Sequence, residues 1–256
     1  MLNNNRKNKV VVCAEGGGER LQILARQMNL SMIQNCQNYS GYCLLCVDDK
    51  LHLQGLIDGA KTRICVDFSS GEANYRRKQG GGKNQAIARA IGLKKIKNRN
   101  VVDATAGLGG DAFVLACLGC EVTMLERSTI VAALLDDGLL RGCEDDMLSE
   151  IIARMTLHNT EATDYLSNLS EAPDVVYLDP MYPQRKKTAK VKKAMQLLQG
   201  LLPSETNEAL LDSALSVAQD RVVIKRPKGA EYFNHSAPSH SIESKKTRYD
   251  VYLCRE

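Results

Sequence analysis

A short apolar run that ends in a glycine-rich turn constrains this chain more than any other feature. The run Val101-Val102-Asp103 leads through Ala104-Thr105-Ala106 into Gly107-Leu108-Gly109-Gly110-Asp111. The glycines of this turn let the backbone bend sharply and approach a ligand closely. The residues that follow are apolar on nearly every helical face, which predicts a buried helix over 111–118. The pattern indicates a buried strand, a tight turn and a helix.

A second strand with an acidic end follows this unit. The segment 120–125 is predicted to be a strand, and it ends at Glu126. The N-terminus of the preceding helix offers free N–H groups and a partial positive charge. A carboxylate at the next strand tip can accept hydrogen bonds from both hydroxyls of a ribose. Together they predict the front half of a Rossmann-type nucleotide site, with a purely structural turn as the alternative.

The bulk composition is that of a globular protein. The chain has 256 residues, of which 44% are hydrophobic and 25% are charged. No apolar run reaches the roughly 20 residues of a membrane span, and the N-terminus lacks the apolar core of a signal peptide, so we expect a cytoplasmic protein. The nine cysteines are scattered. The C-x-x-C pairs Cys43/Cys46 and Cys117/Cys120 are not predicted to converge, so we expect no metal site.

The segment 1–75 reads as a small α/β domain. Strands are predicted at 9–14, 42–47, 51–56 and 63–68. Leu21, Leu24, Ala25 and Met28 repeat at helical spacing. We assign 76–256 to a second, larger domain.

The larger domain alternates strands and helices and ends in a hairpin. Further strands are predicted at 154–158, 174–178 and 221–225, with a terminal hairpin of 239–244 and 249–254. The strand 174–178 is apolar enough for the middle of a parallel sheet. We therefore expect an α/β fold with a Rossmann-like sheet and a C-terminal β-hairpin, which differs from a dehydrogenase half.

The loop after 174–178 points to the chemistry. It reads Asp179-Pro180-Met181-Tyr182-Pro183, and its two prolines make it rigid. It is typical of S-adenosylmethionine-dependent methyltransferases that act on exocyclic amines of bases. An aryl amine is a poor nucleophile, and hydrogen bonds from its N–H groups to a carboxylate and a carbonyl favour lone-pair character on nitrogen. An aromatic side chain can stack on the base. We expect Asp179, Pro180 and Tyr182 to be catalytic.

Basic residues cluster around the predicted site although the net charge is only +4. A single charge run is ordinarily a solvated face, but several clusters that flank one site favour a surface for a polyanion. The expected RNA-binding residues are Arg76, Arg77, Lys78, Arg185, Lys186, Lys190 and Lys193.

Longer motifs resemble the RsmJ family of methyltransferases, from about residue 66 to the C-terminus. The matching segments are 66–68, 76–82, 101–109, 124–127, 131–138, 175–183 and 223–227. The resemblance implies a Rossmann-like class I methyltransferase fold with S-adenosylmethionine as cofactor. It also implies methylation of the exocyclic 2-amino group of a guanine in 16S ribosomal RNA of the small subunit. The first 60 residues match only in general pattern.

The resemblance also implies where the cofactor is held. It places contacts at Gly110, Asp111, Glu126, Arg127, Thr160, Glu161 and Asp179. The turn itself adds Asp103, Gly107 and Gly109. The family often has Arg in place of Gly110 and two serines in place of Thr160-Glu161, so backbone contacts are the ones carried over there.

The residues alone leave other functions open. The pattern Gly107-x-Gly109-x-x-Ala112 also fits an NAD-dependent oxidoreductase, although that enzyme would not explain the loop at 179–183. A non-enzymatic RNA-binding assembly factor on a methyltransferase fold is a second alternative. A methyltransferase for DNA adenine or protein glutamine is a third, since only the resemblance specifies guanine.

Overall fold

The computed structural model describes residues 10–70, 85–94, 98–180, 193–202 and 209–254. Their contacts form two compact units. The first unit contains 10–66 and 193–202, and the second contains the other described residues. The chain therefore leaves the second unit after residue 180, contributes a helix to the first, and returns.

The first unit is built on a five-stranded sheet. In chain order its strands are β1 (Val10–Cys13), β2 (Ser31–Ile33), β3 (Tyr42–Val47), β4 (Lys50–Ile57) and β5 (Ala60–Ile64), and helix α1 (Gly18–Gln27) joins the first two. The order in the sheet is β2-β1-β3-β4-β5. Strand β1 runs parallel to both its neighbours, whereas β3, β4 and β5 form antiparallel hairpins.

Two strands of this unit differ from their sequence prediction. The strand predicted at 63–68 lies at Ala60–Ile64, because Asp58 and Gly59 form a tight turn with positive φ values of 52° and 75°. Such an Asp-Gly turn returns the chain at once into an antiparallel partner. Strand β2 was not predicted, since it has three residues and none of them is buried.

The apolar spacing of Val191, Ala194, Met195 and Leu198 predicts a helix over 187–198, and the structure describes it from Lys193 to Leu201 (α7). The predicted boundary at 75/76 places this helix in the larger domain, but its contacts group it with the first unit, where it packs on β4 and β5. Leu197 is fully buried and lies beside Gly55, where a side chain would leave no room for it. The buried leucine side of this helix therefore faces the five-stranded sheet.

The second unit is built on a seven-stranded sheet. Its strands are β6 (Asn100–Asp103), β7 (Glu121–Leu125), β8 (Met155–His158), β9 (Val175–Leu178), β10 (Arg221–Pro227), β11 (His240–Glu243) and β12 (Thr247–Leu253). Its helices are α2 (Ala86–Ala90), α3 (Gly110–Cys117), α4 (Thr129–Cys143), α5 (Ser149–Ile152), α6 (Ala162–Ser167) and α8 (Ala209–Val217). The sequence predicts a helix over 145–153, of which only Ser149–Ile152 forms α5.

The sheet order is β11-β12-β10-β9-β6-β7-β8. Strands β8, β7, β6, β9 and β10 run parallel, and β12 is antiparallel to both β10 and β11. The Rossmann-like sheet and its terminal hairpin are thus confirmed. Chain order reverses between β6 and β9, and open α/β sheets bind ligands beyond the carboxyl ends of the strands at such a switch point.

An apolar core on one face of this sheet holds the strand ends in place. Val102, Val176 and Ile224 come from three adjacent strands, and Leu166 and Leu211 come from helices α6 and α8. All are almost completely buried. No helix in the described part of the chain is both long and apolar enough to cross a membrane.

Replacing Gly109 tests how tightly the glycine-rich turn is packed. Its φ is +73°, and an added Cβ would lie 2.7 Å from Leu135 Cδ1 and 3.3 Å from Phe68 Cζ. Gly229 has a similar φ of +81°, but open space surrounds the position of its Cβ. We predict that Gly229→Ala lowers the free energy of unfolding by about 1 kcal/mol, for the backbone alone. Gly109→Ala should cost about 1–3 kcal/mol more, because of the clash. Equal losses in urea denaturation would contradict this packing.

Candidate active site

The glycine-rich turn is tied to the end of strand β7 by Glu126. The N–H of Gly107 donates to Glu126 Oε2 at 3.0 Å, and the N–H of Ser128 donates to Oε1 at 2.7 Å. Gly107 has a φ of +54°. Burial raises the pKa of Glu126, although both N–H groups oppose the shift. Glu126 therefore shapes the turn as well as offering a carboxylate at the sheet edge.

The ends of β6 and β9 are joined through Thr105. Its N–H donates to Asp103 Oδ1 at 3.1 Å, and its Oγ1 accepts from the N–H of Asp179 at 2.6 Å. Asp103 is 2% exposed. Burial, reinforced by the negative charge of Asp111, raises the pKa of Asp103 to about 8. Asp103 is therefore largely protonated at neutral pH.

A lysine links two aspartates at the same edge of the sheet. Lys225 Nζ donates to Asp111 Oδ2 at 2.6 Å and to Asp179 Oδ2 at 2.8 Å. Tyr177 donates its hydroxyl to the same Asp111 Oδ2 at 2.7 Å. We call these four side chains the Lys225 cluster. They come from α3, β9, the residue after β9, and β10.

The register of the parallel strands produces this cluster. Tyr177 of β9 is paired with Val223 of β10. Residues two apart in a strand share a face, so Asp179 and Lys225 follow that pair on the same side of the sheet. Asp111 reaches them from the first turn of α3, where the free N–H groups favour an acidic residue.

The electrostatics keep the cluster charged in a fixed pattern. Burial lowers the pKa of Lys225, but the carboxylates of Asp111 and Asp179 outweigh it and leave that pKa above its ordinary value. Desolvation raises the pKa of Asp179 more than Lys225 lowers it. Burial holds the pKa of Tyr177 well above its usual range, so its hydroxyl stays a donor. Two carboxylates against one ammonium leave the edge acidic.

The residues that follow β8 bring the remaining predicted residues to this edge of the sheet. The N–H of Thr160 and the side-chain amide of Asn159 both donate to Glu126 O, at 3.2 and 2.7 Å. Glu161 precedes α6, and its side chain does not cap that helix. The predicted cofactor residues thus lie at the carboxyl ends of β6 to β9 or at the start of α3: Asp103, Gly107, Gly109, Gly110, Asp111, Glu126, Arg127, Thr160, Glu161 and Asp179.

Other predicted residues are only partly described. Pro180 is half-buried and follows Asp179, and Lys193 is exposed at the first position of α7 in the first unit. Outside the described residues lie Tyr182, Arg76, Arg77, Lys78, Arg185, Lys186 and Lys190. The roles of all these residues stay predictions.

Sequence reasoning missed Lys225, Tyr177 and Thr105. Lys225 is a charged residue that directly follows Val222-Val223-Ile224 within strand β10. A charge in a central strand needs a buried partner, and that signal was available. Which acid it meets follows only from the order of the strands.

Comparison with known proteins decides the family. A family model of SAM-dependent methyltransferases matches residues 23–254. The chain belongs to this family. The oxidoreductase alternative is therefore not favoured.

Individual relatives agree with the family model. Ribosomal RNA small subunit methyltransferase J of Aeromonas salmonicida is 47% identical over 234 residues, which cover 91% of this chain and 92% of the relative. The protein of the same name from Tolumonas auensis is 50% identical over 216 residues, covering 84% and 87%. A crystal structure of a SAM-dependent methyltransferase from Neisseria gonorrhoeae superposes with a TM-score of 0.74, at 36% identity and 96% coverage of both chains.

The edge of this methyltransferase sheet fits S-adenosylmethionine. Among the described residues, a Cβ at Gly107 would meet only Thr105 O, at 3.9 Å, so this part of the turn leaves its backbone open to a ligand. A carboxylate has about four acceptor positions, and Gly107 and Ser128 occupy two of those on Glu126, which leaves acceptors for ribose hydroxyls. The acidic excess of the Lys225 cluster complements a cofactor that carries a sulfonium and an ammonium group.

The pKa of Asp103 predicts a pH dependence of stability. Between about pH 4 and pH 8 folded Asp103 keeps a proton that the unfolded chain has released, so stability falls as pH rises through this window. Asp103→Asn keeps an acceptor for Thr105 N–H and cannot titrate. We predict that the free energy of unfolding declines less with rising pH in Asp103→Asn than in the wild type, as measured by urea denaturation from pH 5 to pH 8. The exposed Asp164→Asn should follow the wild type, and a slope equally steep in Asp103→Asn would refute the buried proton.

Replacing Lys225 tests the ion cluster. Lys225→Met keeps the bulk but leaves the two carboxylates without their cation. We predict that the free energy of unfolding falls by about 2 kcal/mol at pH 7. This loss is below the roughly 3–5 kcal/mol expected when one partner of a fully buried pair is removed, because the Lys225 and Asp179 side chains are 26% and 41% exposed. This loss should shrink toward pH 4, where Asp179, whose pKa is raised by burial, takes up a proton.

The matched control for this variant is Lys228→Met, which removes an exposed pair with Glu243 and should change stability by less than about 1 kcal/mol. If Lys225→Met loses the same free energy of unfolding at pH 7 and at pH 4, the lysine contributes packing rather than charge.

Proposed function

We propose that this methyltransferase transfers a methyl group from S-adenosylmethionine to the exocyclic 2-amino group of a guanine in 16S ribosomal RNA of the small subunit. The substrate class rests on the names of the relatives from Aeromonas salmonicida and Tolumonas auensis. The guanine amine rests on the family resemblance of the motifs. One observation carries the chemistry: a carboxylate fixed by Lys225 and Thr105 at the switch point of the sheet.

Asp179 is suited to orient an amine. Its Oδ2 is held by Lys225, and among the described residues its Oδ1 accepts no hydrogen bond. Its side chain is 41% exposed, so this oxygen is open to an incoming base. When bound, S-adenosylmethionine supplies a methyl group already activated on sulfur. What this chain adds is alignment, and stabilisation of the positive charge that develops on the attacking nitrogen.

The residues around Asp179 keep that alignment. Thr105 accepts from the backbone N–H of Asp179, which fixes the start of the loop. Pro180 has no N–H, so it offers no competing donor beside the carboxylate. Lys225 opposes rotation of the carboxylate toward solvent, because the Lys225–Asp179 ion pair would then be lost.

The basic residues supply the contact with RNA in this proposal. Lys and Arg side chains bind the phosphate backbone without reading sequence, so they position the RNA. Lys193 is exposed and starts α7. The others, Arg76, Arg77, Lys78, Arg185, Lys186 and Lys190, have the same proposed role.

Single-turnover methylation tests the proposal. Small subunits from a strain without this gene are incubated with the enzyme and methyl-labelled S-adenosylmethionine, and digested rRNA is analysed by mass spectrometry. We predict label in one 2-methylguanosine. Asp179→Ala should lower the rate by about 10²–10³-fold with RNA binding changed less than about threefold, and Asp179→Asn should keep partial activity because one acceptor remains.

Asp164→Ala removes an exposed aspartate of α6 and serves as the control, with a wild-type rate expected. Label in adenine or in protein would contradict the proposed acceptor. A wild-type rate for Asp179→Ala under saturating cofactor would contradict its catalytic role.

A further inference from the structure

Three buried cysteines meet in the first unit, and none of them is among the residues assigned to methyl transfer. Cys13 ends β1, Cys36 lies between β2 and β3, and Cys43 belongs to β3. Their Sγ atoms all lie within 4.8 Å of one another. Cys13 and Cys43 are fully buried and Cys36 is 5% exposed. We call them the three-cysteine cluster.

The sheet register, not sequence spacing, brings these thiols together. Val11 of β1 is paired with Cys43 of β3. Cys13 is two residues beyond Val11 and therefore shares its face of the sheet. Cys36 belongs to a segment whose neighbouring residues Gln34, Asn35 and Gln37 are exposed.

A buried amide is aimed at the cluster. Gln54 is 2% exposed and lies opposite Cys43 in the β3–β4 pair. Its Nε2 donates to Cys36 Sγ at 3.7 Å, and its Oε1 accepts from Arg63 Nε at 2.8 Å. Arg63 thus fixes which end of the amide faces the sulfur. An N–H donor held toward a cysteine sulfur is the outer-shell support that metal-bound thiolates receive.

We propose that Cys13, Cys36 and Cys43 bind one cuprous ion. Thiolates are soft ligands that favour Cu(I), zinc or iron–sulfur clusters. Structural zinc almost always takes four ligands, whereas the described residues place only three histidine, cysteine or acidic ligands in this group. Every cysteine and histidine of the chain is described, so no undescribed thiol or imidazole completes a zinc site.

The dimensions suit three-coordinate binding. Metal–sulfur bonds of about 2.3 Å, the length known for zinc–thiolate bonds, separate three sulfurs in a plane by about 4.0 Å. The cluster needs to contract by less than about 1 Å to reach that spacing. The ion replaces thiol protons, which leave to solvent, and copper stays in its cuprous state, so no oxidant or reductant is required.

An anaerobic titration tests the site. The purified full chain is titrated with Cu(I) against a chromophoric cuprous chelator, and bound copper is counted per chain. We predict one tightly bound Cu(I), with affinity reduced more than 100-fold in Cys36→Ala and in Cys43→Ala. Cys120→Ala, which removes a fully buried cysteine of the second unit, should bind as the wild type does.

The shift in melting temperature on addition of Cu(I) is a second measurement of binding, which can be used even if a variant is destabilised. Cu(I) should raise the melting temperature of the wild type and of Cys120→Ala, but not that of Cys36→Ala, whose site lies in a segment outside the strands. Absence of a stoichiometric site would overturn the proposal. So would unchanged copper affinity in both cluster variants, or a preference for Zn(II) over Cu(I) in direct competition. Each result is independent of whether the protein methylates RNA.

Discussion

The ammonium group of Lys225 joins the parts of the catalytic sheet that must act together. It binds carboxylates from the first turn of α3 and from the end of β9, while it belongs to β10 itself. A charge at this depth is costly without partners, so none of the three groups is stable there alone. The switch point of the sheet therefore carries a pre-formed acidic site, which does not have to be assembled by the ligand.

Neighbouring carboxylates take different roles because their surroundings differ. Asp103 lies in the core, where burial and the charge of Asp111 outweigh the opposing effect of Lys225, and it keeps its proton at neutral pH. Asp179 is partly exposed and is held by Lys225. Glu126 is bound by two backbone N–H groups. Different environments give similar carboxyl groups different pKa values, so one carboxyl group can have a structural role while another takes part in catalysis.

Local sequence patterns predicted the sheet of the second unit. Contacts between residues that are distant in sequence could not be predicted in this way. The glycine-rich turn, the acidic strand ends and the strand alternation are local signals, and they led to the right fold. Lys225 was overlooked because its partners come from α3 and the end of β9, which are distant in sequence. The three-cysteine cluster was overlooked for the same reason, since C-x-x-C spacing directs attention to Cys43/Cys46 and Cys117/Cys120. Strand β5 was misplaced because the turn at Asp58-Gly59 was not used.

A double-mutant cycle on the methyl-transfer step tests the central claim that Lys225 works through Asp179. Single-turnover rates are compared for the wild type, Lys225→Met, Asp179→Asn and the double variant, with cofactor and RNA saturating. If the ion pair acts as one unit, the double variant should be no slower than about the slower single variant, because the second change removes an interaction already lost. Rate losses that multiply, with each residue contributing its full effect independently, would contradict the account.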